Sequence, residues 1–272
     1  MKDEPRAHPL RHSTQDLATA DRIPDTPQTL SPSHQLAFGD TDFLTREDLR
    51  PVRLQLELLK AQLLLDEAGV TSTVVLFGGA RIPDPATRDL ARTPELSDLS
   101  RYYTEARRFA HAMTGRCLAG GGSEGVIVTG GGPGVMEAGN RGALEAGGRS
   151  IGLNIVLPHE QAPNRYVTPE LSFNFHYFAI RKMHFLMRAR VICIFPGGFG
   201  TLDEMFESLT LIQTKRMKPV PFLLFGRAWW EKIVNWQALA DAGVIADHDL
   251  GLFTYVETAE EAMVAIDTWV AG

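Results

Sequence analysis

The sequence predicts an α/β fold, a Rossmann-like three-layer α/β/α arrangement around a central, mainly parallel sheet. Short apolar runs rich in β-branched residues recur at 74–77, 126–129, 151–156, 191–195, 220–225 and 253–256. A segment of helical character separates each run from the next, and strands joined through helices lie parallel with both faces covered. Two of the runs end in glycine-rich turns, GGGPG at 130–134 and PGGFG at 196–200, the punctuation that takes a strand into a helix.

The elements follow in order. Residues 1–40 are rich in Pro, Ser, Thr, Asp and His and poor in large apolar side chains, a composition that does not offset the entropy of ordering. A flexible N-terminal arm is expected there, with one α/β domain over 41–272. Over 46–67, REDLRPVRLQLELLKAQLLLDE places leucines at helical spacing, which predicts a helix that must pack on a partner surface. The remaining helices are expected at 97–113, 134–146, 177–190, 201–216, 228–242 and 259–270.

Composition narrows the function. The chain has 272 residues, 44% hydrophobic and 22% charged, enough for a substantial core. A net charge of −6 gives no electrostatic footprint for nucleic acid. No run approaches the roughly 20 apolar residues of a membrane span, and MKDEPRAHPLRHSTQD lacks a signal core. A cytoplasmic protein without membrane or nucleic-acid partners is therefore expected. The two cysteines, Cys117 and Cys193, read as small core residues. The histidines form no ligand set: His8 and His12 fall in the arm, His184 sits in an apolar helix, and no HExxH occurs. No metal is expected. Apolar residues over 205–212 and the leucines of 54–65 exceed what one sheet obviously covers, so a homodimer or larger homo-oligomer is expected.

In a parallel sheet the strand C-termini and helix N-termini share one edge, where ligands bind. The run VICIFPGGFGTLDE at 191–204 crosses that edge. Gly197, Gly198 and Gly200 leave backbone amides bare beside a helix N-terminus, which suits a phosphate. Thr201 can cap the helix and face the anion. Glu204 lies one turn in, either reaching a sugar on that phosphate or closing a T-x-x-E capping box with Thr201. Gly130, Gly131, Gly132 and Gly134 either cradle the other side of a nucleotide or merely allow tight strand-to-helix packing. Their spacing departs from G-x-G-x-x-G, and no acidic residue ends the next strand convincingly to bind the ribose of NAD. FGGAR at 77–81 is a further glycine turn, with a basic residue close behind. Arg181 and Lys182 stand in the first turn of a helix, where the dipole disfavours cations; they serve either an anionic ligand or a surface salt bridge.

Arg181-Lys182 followed by PGGFGTLDE at 196–204 resembles the PGGxGTxxE signature of the Lonely Guy (LOG) proteins, cytokinin riboside 5′-monophosphate phosphoribohydrolases, over roughly residues 74–256. The resemblance implies a Rossmann-like fold and hydrolysis of the N-glycosidic bond of AMP or an N6-modified AMP, giving free base and ribose 5-phosphate. It implies that Arg181 and Glu204 are catalytic and that Lys182, Gly197, Gly198, Phe199, Gly200, Thr201, Leu202, Asp203 and Thr210 contact substrate, with Glu160 of LPHEQ matched in a loop that aligns poorly. No cofactor is implied, and nothing suggests the pyridoxal phosphate site that the family's common lysine decarboxylase label would need. The alternative is a non-catalytic carrier of a nucleotide or phosphorylated cofactor on the same scaffold, with an NAD-linked oxidoreductase as a third reading.

Overall fold

The computed structural model describes residues 10–158 and 162–271, in two compact units, Met1–Leu56 and Glu57–Gly272. The first unit holds α1 (Ser13–Ala20) and the single turn α2 (Thr41–Leu44), and it contains the start of α3 (Arg50–Glu67). Helix α1 begins in a reciprocal cap: Nδ1 of His12 accepts the Thr14 N–H, and the Gln15 side chain accepts the His12 N–H. Asp40 caps α2 by accepting the Phe43 N–H at 2.9 Å. The leucine-rich helix therefore starts at Arg50, four residues later than its sequence pattern suggests.

The second unit is the α/β domain. Its strands are β1 (Thr73–Phe77), β2 (Val126–Thr129), β3 (Ser150–Ile155), β4 (Ser172–Phe175), β5 (Ala189–Ile194), β6 (Phe222–Phe225) and β7 (Thr254–Val256). They form one sheet in the order β4-β3-β2-β1-β5-β6-β7, with every pair parallel. Strand β4, SFNF, is absent from the sequence-based expectation. It sits at the sheet edge, pairs with β3 alone, and buries only alternate residues, so it lacks the continuous apolar run that marks the central strands.

The strands alternate their side chains between two apolar layers. Val75, Phe77, Ile192 and Ile194 face one layer, shared with Leu65 of α3, Phe185 of α7 (Phe178–Met187), Met205 of α8 (Phe199–Gln213) and Trp230 of α9 (Arg227–Ile233). Val74, Leu76, Val191 and Cys193 face the other, shared with Phe109 of α5 (Ser100–Ala119), Ala138 of α6 (Val135–Glu145) and Ile266 of α11 (Ala259–Ala271). Helices thus cover both faces, and the three layers follow from the period-two pattern of the strands. Both cysteines are buried free thiols. The short helix α4 (Pro94–Asp98) precedes α5, and the helix expected at 228–242 is broken into α9 and α10 (Trp236–Asp241). Asn235 makes the break by accepting the Ala238 N–H as a new N-cap.

The strand order reverses at β1: β2, β3 and β4 extend to one side, and β5, β6 and β7 to the other. A crevice opens above the C-terminal ends of strands at such a reversal. The turns after β1, β2 and β5 all deliver their residues there.

Candidate functional site

The crevice is a cleft of about 680 Å³. Its floor is the turn after β5, where Pro196, Gly197 and Gly198 lead into α8. Gly198 is the N-cap of that helix, and no side chain caps it. The first intrahelical bond there runs from Leu202 N–H to Gly198 O, so the amides before it point out of the helix end towards the cleft. Thr201 is accordingly the third helical residue and not the cap. The capping-box reading of Glu204 falls with it, because α8 starts at Phe199.

Arg181 and Glu204 meet in the cleft. Nη1 of Arg181 lies 3.6 Å from Oε1 of Glu204, with the two side chains only 10% and 14% exposed. Arg181 is anchored by its Nε, which donates to Leu153 O at 2.6 Å, and its guanidinium lies over the Phe185 ring. Helix α7, which carries it, is held at its N-terminus by a remote acid: the Glu57 carboxylate accepts the N–H groups of His176 and Tyr177. A carboxylate at that position also answers the helix dipole. Burial pushes the Glu204 carboxyl up from 4.5 to about 7, against the pull of the Arg181 guanidinium and with a further push from Asp203. A carboxyl poised there exists in both protonation states at neutral pH.

Gly130 lines the cleft because Arg181 needs its space: a Cβ at 130 would run into Nη2 of Arg181 and Sδ of Met136. The neighbouring glycines do a different job. A side chain at Gly131 would strike Asn154, and one at Gly134, where φ is +69°, would strike the carbonyl of Gly79. Gly132 O and Gly131 O accept from the Asn164 side chain, which ties this turn down. Gly131, Gly132 and Gly134 therefore shape the loop and do not line the cleft.

The remaining expected residues fall as follows. Gly197, Gly198, Phe199, Gly200, Thr201, Arg181 and Glu204 border one cavity. Phe199 is 92% exposed at its mouth. Lys182 points to the side, in ion pairs with Asp203 at 3.1 Å and Glu207 at 2.9 Å. Burial pulls its ammonium down, but those two carboxylates prevail and its pKa is raised. Leu202 and Asp203 are not among the cleft's lining residues. Thr210 is two turns further along α8, donating to Phe206 O and bordering a separate small hollow with Trp236. Glu160 lies outside the described residues. Among the described residues no group of His, Cys, Asp or Glu is placed to hold a metal ion, and no helix is long and apolar enough to cross a membrane.

The sequence reading missed the apolar wall. Met136, Ile155, Phe178 and Trp229 come from four separate elements. Their only common signal is a place at the last residue of a strand, as for Ile155, or in the first turn of a helix. A larger hollow of about 770 Å³ lies at the opposite edge of the sheet, between Arg116, Lys218 and Trp269. Size does not decide between the two. The buried acid and guanidinium are at the β1/β5 edge, whereas in the larger hollow Arg116 and Arg190 are paired with Asp267 and Glu124.

Residues 136–266 match a family model described as possible lysine decarboxylase. No curated protein matches the chain in sequence. Among solved structures, the X-ray structure of TM1055, a structural-genomics target, is 26% identical, with 72% of this chain and 99% of that chain covered and a TM-score of 0.47. The Moco carrier protein from Chlamydomonas reinhardtii is 20% identical, with 74% and 98% covered and a TM-score of 0.47.

Proposed function

We propose, from the resemblance of Arg181-Lys182 and PGGFGTLDE to the LOG proteins and the match of residues 136–266 to the possible lysine decarboxylase model, that the chain hydrolyses the N-glycosidic bond of a purine nucleoside 5′-monophosphate. The products are the free base and ribose 5-phosphate, and the substrate is AMP or an N6-modified AMP. The observation that carries this reading is Glu204, a buried carboxyl held near 7 and facing Arg181 across one cleft.

The chemistry follows from those groups. As the bond from C1′ to the base breaks, its electron pair leaves with the base, and positive charge builds on C1′ and the ring oxygen. A carboxylate at Glu204 stabilises that oxocarbenium character and orients a water, taking a proton as the water oxygen bonds to C1′. The leaving base takes a proton from solvent and Glu204 releases to solvent the one it took from the water, so one water is consumed for each base released. Arg181 holds an anionic or hydroxyl oxygen of the substrate, while the open amides at the start of α8 receive the phosphate. Binding energy from the nonreacting end then positions the reacting carbon.

A lysine decarboxylase using pyridoxal phosphate needs a lysine in the site for the internal Schiff base. None of the described residues lining this cleft is a lysine, and Lys182 is committed to Asp203 and Glu207. The hydrolase reading is tested by incubating the protein with AMP, GMP, IMP and N6-isopentenyl-AMP and separating free bases by chromatography. Release of a purine base supports it. Tight binding of a nucleotide with no base released would instead favour a carrier.

Self-association is part of the proposal. Most apolar residues of α8 face the protein's own core, Met205, Leu209 and Ile212 among them, so that helix contributes less free surface than its sequence suggests. Leu59 and Leu63 of α3 and Met183 and Met187 of α7 are about half exposed and offer the apolar area a second copy would cover.

A further inference from the structure

We propose that Arg81 is the residue that reads the substrate's 5′-phosphate and so confines the cleft to phosphorylated ribosides. This rests on the hydrolase reading, for which the phosphate end of the substrate is otherwise served only by backbone amides and Arg181.

Arg81 sits in the turn after β1, on the rim of the cleft that also holds the start of α8. The turn is stapled in place. Gly79 N–H donates to Pro196 O at 2.9 Å, joining it to the turn after β5, and Val135 N–H donates to Gly79 O at 3.3 Å, joining it to α6. Packing allows no slack there, since a Cβ at Gly78 would crowd Val135 and Phe195. The backbone that presents Arg81 is therefore a fixed mount.

The guanidinium on that mount is uncommitted. Arg81 is exposed and makes no ion pair or hydrogen bond with any described residue. The nearest acid in the chain, Asp84, is taken by Arg141 at 2.8 Å. Among the described residues lining the cleft, Arg81 and Arg181 are the cations, and Arg181 is engaged with Leu153 O and Glu204. A cation that pairs with no described residue, on the same cleft as the amides of a helix N-terminus, adds to the positive potential there. A ribose phosphate, near −2 at neutral pH, supplies the opposite charge and accepts the fork of an arginine bidentately. Arg181 and Glu204 are then left for the sugar.

The test compares wild type, Arg81→Ala and Arg81→Lys, on AMP and adenosine for turnover and on ribose 5-phosphate by calorimetry. The substituted side chain is exposed, so the variants keep the fold. Expected for Arg81→Ala are a KM for AMP raised about tenfold or more, a preference for AMP over adenosine reduced by a similar factor, and partial recovery in Arg81→Lys. An unchanged KM and an unchanged preference would overturn the assignment while leaving the hydrolase reading intact. Should the wild type release no base, the hydrolase reading fails and calorimetry decides alone: ribose 5-phosphate bound about tenfold more weakly by Arg81→Ala supports Arg81 as the phosphate reader, and equal affinity overturns it.

Discussion

Nη1 of Arg181 on α7 and Oε1 of Glu204 on α8 lie 3.6 Å apart, slightly too far for a hydrogen bond and close enough for strong electrostatic coupling in a poorly hydrated site. The two helices bring opposite charges together where the sheet order reverses. Both side chains border the same cleft, so a substrate bound there meets the guanidinium and the carboxyl together.

Glu204→Gln removes the charge and keeps the shape. Turnover of the nucleotide is expected to fall by roughly a hundred- to ten-thousandfold, the range of general acid–base and charge stabilisation. Nucleotide affinity should change by less than about tenfold, as measured by calorimetry beside steady-state kinetics.

The raised carboxyl has two consequences for pH. Ionised Glu204 is the active form, so kcat/KM should rise with a midpoint near 7, and a rising limb near 4.5 would contradict it. For stability, the folded state binds more protons than the unfolded state between 4.5 and about 7, so this group's contribution falls as pH rises through that window. Glu204→Gln lacks the penalty. Its melting temperature relative to wild type should therefore increase from pH 5 to pH 8.

Arg181→Gln should act on both pH and stability. Arg181 holds the Glu204 pKa down, so its loss should move the rising limb of kcat/KM to higher pH. It also removes the donor to Leu153 O. A loss of about 1–3 kcal/mol in denaturant unfolding is expected for leaving a buried acceptor and acid without that partner.

Gly130→Ala places a Cβ against Nη2 of Arg181 and Sδ of Met136, and the guanidinium cannot retreat freely while its Nε is tied to Leu153 O. Activity is expected to fall at least tenfold with a small change in stability. Gly134→Ala, by contrast, meets the carbonyl of Gly79 at a backbone φ of +69°, and its main effect should be a melting point lowered by several degrees.

The central strands were legible because a strand buried on both faces must be apolar throughout, as in VICI of β5. Strand β4 was not, because an edge strand needs only alternate apolar residues and four residues are too few to show the period. At the site, Arg181, Glu204 and the glycine turn could be placed on one edge by topology alone. The sequence suggests Thr201 as the cap of α8, and the structure puts Gly198 there, because a glycine-opened helix gives no cue to its first residue, which is Phe199. The Glu57 cap on α7 and the wall formed by Met136, Ile155, Phe178 and Trp229 depend on contacts between distant segments. No local pattern announces such contacts.

The most direct measurement is a time course of AMP with wild type and Glu204→Gln at equal, saturating occupancy, with free adenine and ribose 5-phosphate both quantified. The account predicts equimolar adenine and ribose 5-phosphate from the wild type, and almost none of either from Glu204→Gln. Intact AMP in both reactions, or equal adenine from both proteins, would contradict it.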